Sequence, residues 1–591
     1  MTLRFNTVLA SATLSALLTL SGAAQADTKT RTTSFDYDTA GLLAKTTSEP
    51  NVANDCLQVS VLRDTFGNPA STSTSACPGA TGDAISSAAT PRTSTASFGA
   101  DGRFALTSSN ALSQTESRLY NLQSGTLASL TGPNGLTTAW LYDSFNRKTK
   151  ETRADGTTTT WAYQLCTEAG ANCPGPIAGA VPVMVAVEQS YAANAVVSSP
   201  QSRTYLDALG RTLRNQTQGF DGQGAAPTLV ADTEYNARGQ VARQSNRYLL
   251  GATPVWTSFS YDVLGRQTRE DRPDPDAPGG IASTRTSYFA LSFTITNSKG
   301  QTKTTTRNSQ GLILQVQDNK GSSIVYSYDV LGQLTQTNAA GSITSMAYNQ
   351  RGQKTAMLDP VMGAWDYRYN VYGELVGQTD SAGHSVSIAY DQLGRMTQRT
   401  EADLVSDWSY DKKFDGSACG KGVGKLCEAK AANNYKRIHT YDSLGRPSVM
   451  STVLDNPAAP AVVSETYDVN TGRVASKTWP SGYQASYQFS ALGYLKKVTA
   501  GGSNGFAQTV SYEVLAINPQ GQVTQYRQGN QVTTLRTFNA TSKRLTSQSA
   551  TKDGQAAGNV LNHSYTYDSL DNLTSRVDAN LGTQESFSYD S

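Results

Sequence analysis

The six cysteines are the residues of this sequence whose type and spacing most directly allow chemistry. They fall into three pairs that are close in the chain, namely Cys56 with Cys77, Cys166 with Cys173, and Cys419 with Cys427. In an oxidising compartment such pairs form disulfides that constrain loops. A metal site would need a CxxC spacing or neighbouring histidines, which these pairs lack. We therefore predict three local disulfides and no metal ion.

Three histidines, His384, His439 and His563, are the only candidates for a histidine base or a histidine metal ligand. Each lies near or inside a predicted strand, and they are far apart in the chain. His439 is two residues before Tyr441, a position at which other repeats described below have a large packing side chain. Packing is therefore the predicted role of His439, and catalytic relays built on histidine are not expected.

Two other motifs suggest chemistry but have simpler explanations. Residues 501–505 match the G-x-S-x-G pattern of a nucleophile elbow, yet that device needs a strand, a strained turn and a helix, and a flexible turn between strands is predicted here. Asp271, Asp274 and Asp276 could bind calcium, but the interleaved prolines favour an extended loop. We expect no catalytic residue, no cofactor and no metal, and hence a protein that is not an enzyme.

The elements that must position these residues follow from one recurring motif, in which a tyrosine precedes a glycine by four residues. Its clearest copies begin at Tyr261, Tyr328, Tyr390 and Tyr441 and read Tyr-Asp-x-x-Gly, usually followed by arginine. From Tyr328 to Tyr410 the motif tyrosines recur every 20 or 21 residues. The aspartate can accept hydrogen bonds from backbone amides and the glycine can adopt a positive φ, so the motif predicts a tight turn.

A second turn signal lies halfway through each period, for example from Asn338 to Gly341. The two turns separate segments of six or seven residues, a typical strand length, so each repeat predicts one β-hairpin. Two residues before the motif tyrosine, another large side chain recurs on the same strand face. These residues are Phe35, Trp140, Phe259, Tyr326, Met346, Tyr367, Ile388, Trp408, Tyr565 and Phe587. We interpret this ridge as a packing device, with a carbohydrate-binding surface as the alternative.

The number of copies determines the architecture. About eighteen motif copies with two strands each predict about 36 strands, and open twisted sheets rarely exceed about 10 strands without curling. The predicted fold is therefore all-β, a long antiparallel strip of β-hairpin repeats that curls into a hollow shell or a superhelical β-sheet. A single wrap would have a diameter of about 50 Å, too wide for side chains to fill. A parallel β-solenoid is the alternative, although it does not require hairpin turns.

Composition favours strands and excludes two classes of partner. The 591 residues include 29 tyrosines and 50 glycines, which suit pleated strands and turns, and the regular spacing of the aromatic residues argues against disorder. Basic and acidic residues are nearly balanced, at a formal net charge of +2, with no run of lysine or arginine. Neither nucleic acid nor an anionic membrane is therefore expected as a partner.

The N-terminal segment predicts export. Residues 1–26 combine Arg4, an apolar stretch over residues 8–20 and a small-x-small cleavage site at residues 24–26, which together are typical of a secretory signal peptide. No later stretch approaches the ~20 apolar residues that span a bilayer. We predict a protein that is secreted or placed at the cell surface through the Sec route, with no transmembrane segment.

Three regions follow from these patterns. Residues 1–26 form the signal peptide, residues 27–254 hold divergent repeats with insertions, and residues 255–591 hold the regular repeats. The sequence stops at Tyr589-Asp590-Ser591, in the middle of a motif. Because an open strand edge invites pairing, we expect an apparent truncation at the C-terminus, with a natural product that continues.

Tyr-Asp-x-x-Gly-Arg motifs at about 21-residue spacing resemble the YD-repeat or RHS family, and the resemblance covers nearly all of the chain after residue 26. It implies a hollow β-shell that encloses a C-terminal toxin or effector until delivery. The family also includes wall-associated and carbohydrate-binding proteins, components of insecticidal toxin complexes, and contact-dependent competition systems. Its self-cleaving aspartyl protease segment has no counterpart in this sequence, so autoproteolysis is not carried over to any residue.

The function that this resemblance implies is that of a secreted structural protein. Its shell would enclose or present a toxin or effector for interbacterial competition or toxin delivery, so the predicted partner is a polypeptide. The alternative is a cell-surface adhesin that binds carbohydrate through its tyrosine and tryptophan side chains.

Overall fold

The structure is a computed structural model that describes residues 30–53, 55–78, 90–454, 459–502 and 506–590. The predicted signal peptide and residues 503–505 of the G-x-S-x-G pattern lie outside the described residues. Within these ranges the chain forms 46 β-strands, one short 3-10 helix over Pro278–Gly280, and no α-helix. The prediction of an all-β protein is confirmed.

The strands are short, and turns or short loops connect most of them, with longer connections over residues 166–183 and 411–425. The first half of the sheet contains β1 (Thr33–Tyr37), β2 (Leu43–Ser48), β3 (Leu57–Arg63), β4 (Pro69–Ala76), β5 (Arg92–Phe98), β6 (Ala105–Ser109), β7 (Thr115–Tyr120), β8 (Leu127–Thr131), β9 (Thr137–Tyr142), β10 (Lys148–Thr152), β11 (Thr158–Leu165), β12 (Met184–Tyr191), β13 (Ser202–Leu206), β14 (Thr212–Gln218), β15 (Thr228–Tyr235), β16 (Val241–Ser245), β17 (Tyr248–Leu249), β18 (Trp256–Tyr261), β19 (Gln267–Pro273), β20 (Ile281–Phe289), β21 (Ser292–Thr296), β22 (Thr302–Arg307) and β23 (Ile313–Asp318).

The second half contains an equal number of strands. They are β24 (Ser323–Tyr328), β25 (Leu334–Ala339), β26 (Ser342–Tyr348), β27 (Lys354–Asp359), β28 (Gly363–Tyr369), β29 (Leu375–Thr379), β30 (Ser385–Tyr390), β31 (Met396–Thr400), β32 (Val405–Tyr410), β33 (Leu426–Ala431), β34 (Lys436–Tyr441), β35 (Pro447–Val453), β36 (Ala461–Tyr467), β37 (Val474–Thr478), β38 (Tyr483–Phe489), β39 (Leu495–Gly502), β40 (Phe506–Ile517), β41 (Val523–Gln528), β42 (Val532–Phe538), β43 (Leu545–Lys552), β44 (Leu561–Tyr567), β45 (Leu573–Asp578) and β46 (Thr583–Ser586).

All of these strands belong to one sheet, in which strands adjacent in sequence pair antiparallel. The local departure is at β15, which pairs with both β16 and the two-residue β17, so that β18 pairs with β16. Among the described strands, β1 pairs only with β2 and β46 only with β45, so the sheet does not close on itself. The antiparallel pairing confirms the predicted hairpin strip and excludes the parallel solenoid.

The Tyr-Asp-x-x-Gly motif forms the turn of a hairpin, as β18 and β19 illustrate. Oδ1 of Asp262 accepts hydrogen bonds from the amides of Leu264 and Arg266, each 2.9 Å long. Gly265 has a φ of 83°, a conformation that residues with a side chain resist. The pairing shifts register at Tyr261, which therefore lies at a bulge beside the turn. The aspartate serves the backbone, as the sequence predicts.

Motif turns and the intervening turns alternate along the chain, so they lie on opposite edges of the strip, here named the motif edge and the plain edge. The strip winds so that these edges meet, through contacts between residues 268 to 319 positions apart. Arg31, before β1, donates to the carbonyl of Gln350, between β26 and β27. Lys299, between β21 and β22, binds Asp568, between β44 and β45. One superhelical coil therefore takes about 24 strands.

The chain thus completes about two coils, a first coil of β1–β23 and a second coil of β24–β46. The single wrap of about 36 strands considered from the sequence is wrong, because the divergent N-terminal repeats also form full hairpins and the strip curls more tightly. The superhelical form of the predicted fold is confirmed.

The wall of the superhelix is one sheet thick. Along β28 the side chains alternate between half-buried and exposed, with no fully buried face. The accessible surface is 33298 Å², whereas a compact protein of this mass would expose about 20,000 Å². A local core does lie under the insert after β11, where Ile177, Val185, Tyr205 and Leu213 are buried together. Elsewhere stability must come from contacts between neighbouring hairpins and between coils.

Candidate functional site: the wall and its seam

The motif tyrosines tie each repeat to the one before it. The hydroxyl of Tyr390 donates a 2.9 Å hydrogen bond to the backbone carbonyl of Leu375, six residues after the preceding motif tyrosine, Tyr369. Equivalent bonds of 2.7 to 3.0 Å are made by Tyr142, Tyr235, Tyr261, Tyr288, Tyr348, Tyr441 and Tyr467. Because these hydroxyls satisfy backbone groups within the wall, the tyrosines hold hairpins together.

Replacing Tyr390 by phenylalanine should lower the free energy of unfolding by about 1 kcal/mol, because one hydrogen bond is lost while the ring remains. Tyr37 is the matched control, since it belongs to the first described repeat and its side chain is 52% exposed. Tyr37→Phe should change the free energy of unfolding by less than about 0.5 kcal/mol. Equilibrium denaturation of both variants measures the difference, and equal effects would contradict the role given to the hydroxyl.

The arginine that often follows the motif glycine also joins two repeats. Nε of Arg395 donates to Oδ2 of Asp391 at 2.7 Å, and its guanidinium lies 4.5 Å from the ring centroid of Tyr410 in the next repeat. The same stacking is made by Arg211 over Tyr235, Arg266 over Tyr288 and Arg446 over Tyr467. A planar guanidinium can pair with a carboxylate and stack on a ring at once, which explains the preference for arginine at this position.

Where the two coils touch, the plain edge of the first coil meets the motif edge of the second along a line of contacts, here named the seam. The amide of Ala193 donates to the carbonyl of Asn470 at 2.8 Å. Further along, Tyr494 stacks on Phe220 with ring centroids 5.6 Å apart and donates to the carbonyl of Gln218 at 3.0 Å. Backbone and side chains of the two coils are thus directly bonded.

A second part of the seam surrounds Tyr372 on the motif edge. The guanidinium of Arg92 lies 3.9 Å from the centroid of this ring and pairs with Glu374 at 2.8 Å. The hydroxyl of Tyr372 donates to the carbonyl of Thr90 at 3.1 Å. The neighbouring Val371 is 0% exposed. The seam therefore excludes water from apolar side chains as well as pairing charges.

A buried cluster of charges closes another part of the seam. Arg544, whose side chain is 6% exposed, binds both carboxylate oxygens of the fully buried Asp274, at 2.6 and 2.9 Å. It also binds Asp276 at 2.6 Å and Asp571 at 2.5 Å. Burial alone would lower the pKa of Arg544, but its hydrogen bonds with Asp274 and Asp571 raise that pKa above its usual value. One arginine thus binds three carboxylates drawn from both coils, and Arg272 adds a second positive charge at 3.4 Å from Asp274 and 3.2 Å from Asp571.

A further ion pair crosses the seam between Lys299 and Asp568, at 2.5 Å. Burial raises the pKa of Asp568, but hydrogen bonds from Lys299, from Asn572 and from backbone amides outweigh this effect and lower the pKa from 3.8 to about 2. The ionised carboxylate is therefore the form that the seam stabilises.

The contribution of Asp568 should disappear between pH 4 and pH 2. A carboxyl whose pKa is depressed on folding stabilises the fold fully above its unfolded value of 3.8, and that stabilisation is lost as the pH falls through about 2. Asp568→Asn should therefore lower the thermal midpoint at neutral pH and leave it nearly unchanged at about pH 2. Lys299→Met should give the same pH profile, and a deficit that persists at acidic pH in both variants would contradict this assignment.

The three predicted cysteine pairs are bonded in the structure, with Cα atoms 5.4 to 5.7 Å apart, a separation normal for disulfides. The bonds are Cys56–Cys77, Cys166–Cys173 and Cys419–Cys427. The first joins the start of β3 to the end of β4, the second lies in the insert after β11, and the third closes the loop between β32 and β33. All three therefore fasten connections between strands.

The three histidines lie apart from one another in the structure. His384 pairs with Asp380 within a single turn at 3.0 Å, and His563 pairs with Asp578 on the neighbouring strand at 3.1 Å. His439 lies within β34, where burial lowers its pKa. Each histidine thus serves its own part of the wall, and the structure does not bring them into a relay.

The aspartates weighed as calcium ligands have other partners. Asp274 and Asp276 bind Arg544 across the seam, and Asp271 binds Arg269 at 2.7 Å within its own strand. Among the described residues, no group of three or more His, Cys, Asp or Glu side chains is placed to hold a metal ion. Within the same residues, no helix has the length and apolar character needed to cross a membrane.

Sequence reasoning missed the seam residues. Arg544 follows a degenerate copy of the motif that lacks the glycine, and Asp274 lies in a proline-rich loop that reads as an interruption. The acidic residues concentrated in this loop could have suggested a basic partner. Nothing in the local sequence indicates that this partner is Arg544, 270 positions away.

Comparison with known proteins agrees with this geometry. The family model RHS Repeat matches residues 120–163, 307–343 and 369–403. No curated protein sequence matches the chain. The crystal structure of TcdB2-TccC3-TEV is similar in fold, with a TM-score of 0.73 and 12% identity, over 93% of this chain and 36% of that one. The Photorhabdus luminescens Tc holotoxin pore with a TccC3 mutation gives a TM-score of 0.72 and 12% identity, over 93% and 35%.

TcdB2-TccC3 without its hypervariable C-terminal region is similar as well, with a TM-score of 0.70 and 12% identity over 93% of this chain and 38% of that one. The chain therefore spans little more than a third of the length of these matched chains. At such low identity the likeness concerns the fold.

Proposed function

We propose that this chain, a member of the RHS/YD-repeat family, forms the wall of a container that encloses or presents a polypeptide toxin or effector. The observation that carries the proposal is the number of strands in each coil. About 24 strands spaced about 4.8 Å apart give a circumference of about 115 Å and a diameter of about 37 Å between backbones. Sheets of about eight strands are filled by their own side chains, whereas those of about 16 or more leave a lumen.

The chemistry of the wall suits a polypeptide cargo better than a small ligand. A lumen about 37 Å across between backbones is much wider than a pocket that buries a small molecule. Such pockets have volumes of typically about 300 to 1,000 Å³. Eight tyrosine hydroxyls donate to backbone carbonyls of the wall, and motif carboxylates such as that of Asp262 accept from turn amides, so these groups are already used within the wall. The similar structures include a Tc holotoxin pore and a TcdB2-TccC3 complex without its hypervariable C-terminal region, and this likeness supports a role with a toxin.

We further propose that the chain is exported by the segment over residues 1–26 and acts without a catalytic centre. Oxidised cysteine pairs suit an extracytoplasmic compartment. His384, His563 and the motif aspartates have structural partners in turns, strands and the seam. The wall and its lumen therefore carry the function, and no single side chain does.

Protease protection tests the container directly. An unstructured polypeptide fused after Ser591 should be cleaved at least tenfold more slowly by a soluble protease than the same polypeptide free in solution. Opening the seam with Arg544→Ala should remove most of that protection. Equal cleavage of the fused and free polypeptide, or electron micrographs of a particle with no central low-density region, would overturn the proposal.

Carbohydrate adhesion stays an alternative prediction. The rings of Trp365 and Tyr367 stack with centroids 6.4 Å apart, but both side chains are half-buried along β28. A glycan array with the wild-type chain and Trp365→Ala tests this alternative, and only a signal that falls in the variant would favour it.

A further inference from the structure

One position of the motif differs between the two coils. It is the residue just before the motif glycine, or before Asn146, which replaces that glycine in one copy. On the second coil this residue is half-buried against the plain edge of the first coil, as for Tyr372, Leu393, Leu444 and Leu492. On the first coil the same position is exposed, with fractions of 59% at Phe66, 78% at Phe145, 76% at Leu209 and 74% at Leu264. The same type of side chain is covered where an edge is stacked on it and bare where none is.

The turn itself does not require these large apolar side chains. Ala40, Arg238 and Gln310 occupy the same position on the first coil and form the same turn. Two further exposed residues extend the apolar row, Leu122 at 60% and Val263 at 84%. A row of large apolar side chains along one exposed edge marks an interaction surface.

We propose that the motif edge of the first coil binds the plain edge of the second coil of another copy of this chain. Copies would then stack head to tail and lengthen the tube. This inference concerns assembly, and it does not depend on what the lumen holds.

Continuity with the internal seam identifies the partner. Inside each molecule the plain edge of the first coil meets the motif edge of the second coil. The motif edge of the first coil and the plain edge of the second coil therefore remain uncovered. Because a second copy has the same number of strands per coil, its plain edge has the curvature that the motif edge needs. That plain edge also exposes apolar side chains, at Val361 (92%), Met362 (51%) and Leu581 (75%). The contact joins two different surfaces, so it is heterologous and leaves a free edge at each end.

The test measures the mass of the full chain in solution. Mass photometry over a concentration series should show dimers and longer oligomers of the wild-type chain. The double variant Phe145→Asp/Leu264→Asp, which alters the motif edge, should weaken association at least tenfold, and so should Val361→Asp on the plain edge. The control is Leu535→Asp, because Leu535 is 50% exposed in the middle of β42, away from both edges. It should associate like the wild type.

Mixing the two edge variants distinguishes head-to-tail stacking from a symmetric dimer. The motif-edge variant retains a normal plain edge and the plain-edge variant retains a normal motif edge, so an equimolar mixture should form heterodimers but no longer oligomers. Circular dichroism of each variant confirms that the sheet is intact. A wild-type chain that stays monomeric at all concentrations would overturn the proposal, as would variants that never associate when mixed. An edge that is instead covered by a different protein would appear as the first of these outcomes.

Discussion

Replacing Arg544 by alanine should lower the free energy of unfolding by about 3 kcal/mol, the cost of removing the main partner of a buried carboxylate. Asp274 is fully buried and both of its carboxylate oxygens bind this guanidinium, with Arg272 and the amide of Asp276 as its other donors at 3.4 and 3.0 Å. Because the ion pairs join the two coils, the seam should open locally more often than the rest of the sheet. Hydrogen exchange should accelerate at the seam amide of Ala193, while amides in the middle of distant hairpins stay protected.

Arg266→Ala is the matched control for this variant. Arg266 follows the motif glycine on the first coil, pairs with Asp262 at 2.7 Å and stacks on Tyr288, but it is 42% exposed and no second coil covers it. Arg266→Ala should lower the free energy of unfolding by about 1 kcal/mol. If chemical denaturation showed the two variants equally destabilised, the seam would contribute no more than an ordinary repeat contact.

Gly222→Ala should force the coils apart locally and lower the free energy of unfolding by about 3 kcal/mol. A Cβ built on this residue would lie 2.5 Å from the backbone carbon and oxygen of Leu515 on the second coil. The backbone of Leu515 cannot move without disturbing the seam. Gly222 also has a φ of 94°, so part of the cost comes from strain in the turn itself.

Gly251→Ala separates the two contributions. Gly251 has a φ of 90°, yet a Cβ there would meet no atom within 4 Å. This control should cost about 1 kcal/mol, from backbone strain alone. Thermal unfolding and limited proteolysis of both variants would measure the difference. Equal loss of stability would mean that the close approach of Gly222 to Leu515 adds nothing to the cost of the substitution.

The sequence was informative about each hairpin because each hairpin is specified locally. Asp262 and Gly265 fix a turn within five residues, and the repeat every 20 or 21 residues extends that result along the chain. The all-β antiparallel strip could therefore be predicted, whereas the hydrogen bonds of the motif tyrosines were not predicted, although they too are local. Their bond to the preceding repeat spans only about 15 residues, as between Tyr390 and Leu375.

The seam could not be predicted because its partners are set by curvature and not by local pattern. Asp274 meets Arg544 only because about 24 strands complete one coil, a number that depends on the twist accumulated over every hairpin between them. A small change in twist per strand would bring a different residue opposite Arg544. The sequence therefore predicted a strip that curls, but overestimated its diameter and gave no partner for the proline-rich loop.

The seam also constrains how such a chain can evolve. Duplicating one 21-residue repeat between Asp274 and Arg544 would move every later residue by one hairpin, so that charges and close approaches on the second coil would all face the wrong partners. A duplication at either end of the strip would leave existing crossings in place and only lengthen the wall. Although its hairpins look interchangeable in sequence, the protein can therefore lengthen by growth at its ends, whereas the number of hairpins between two seam partners is fixed.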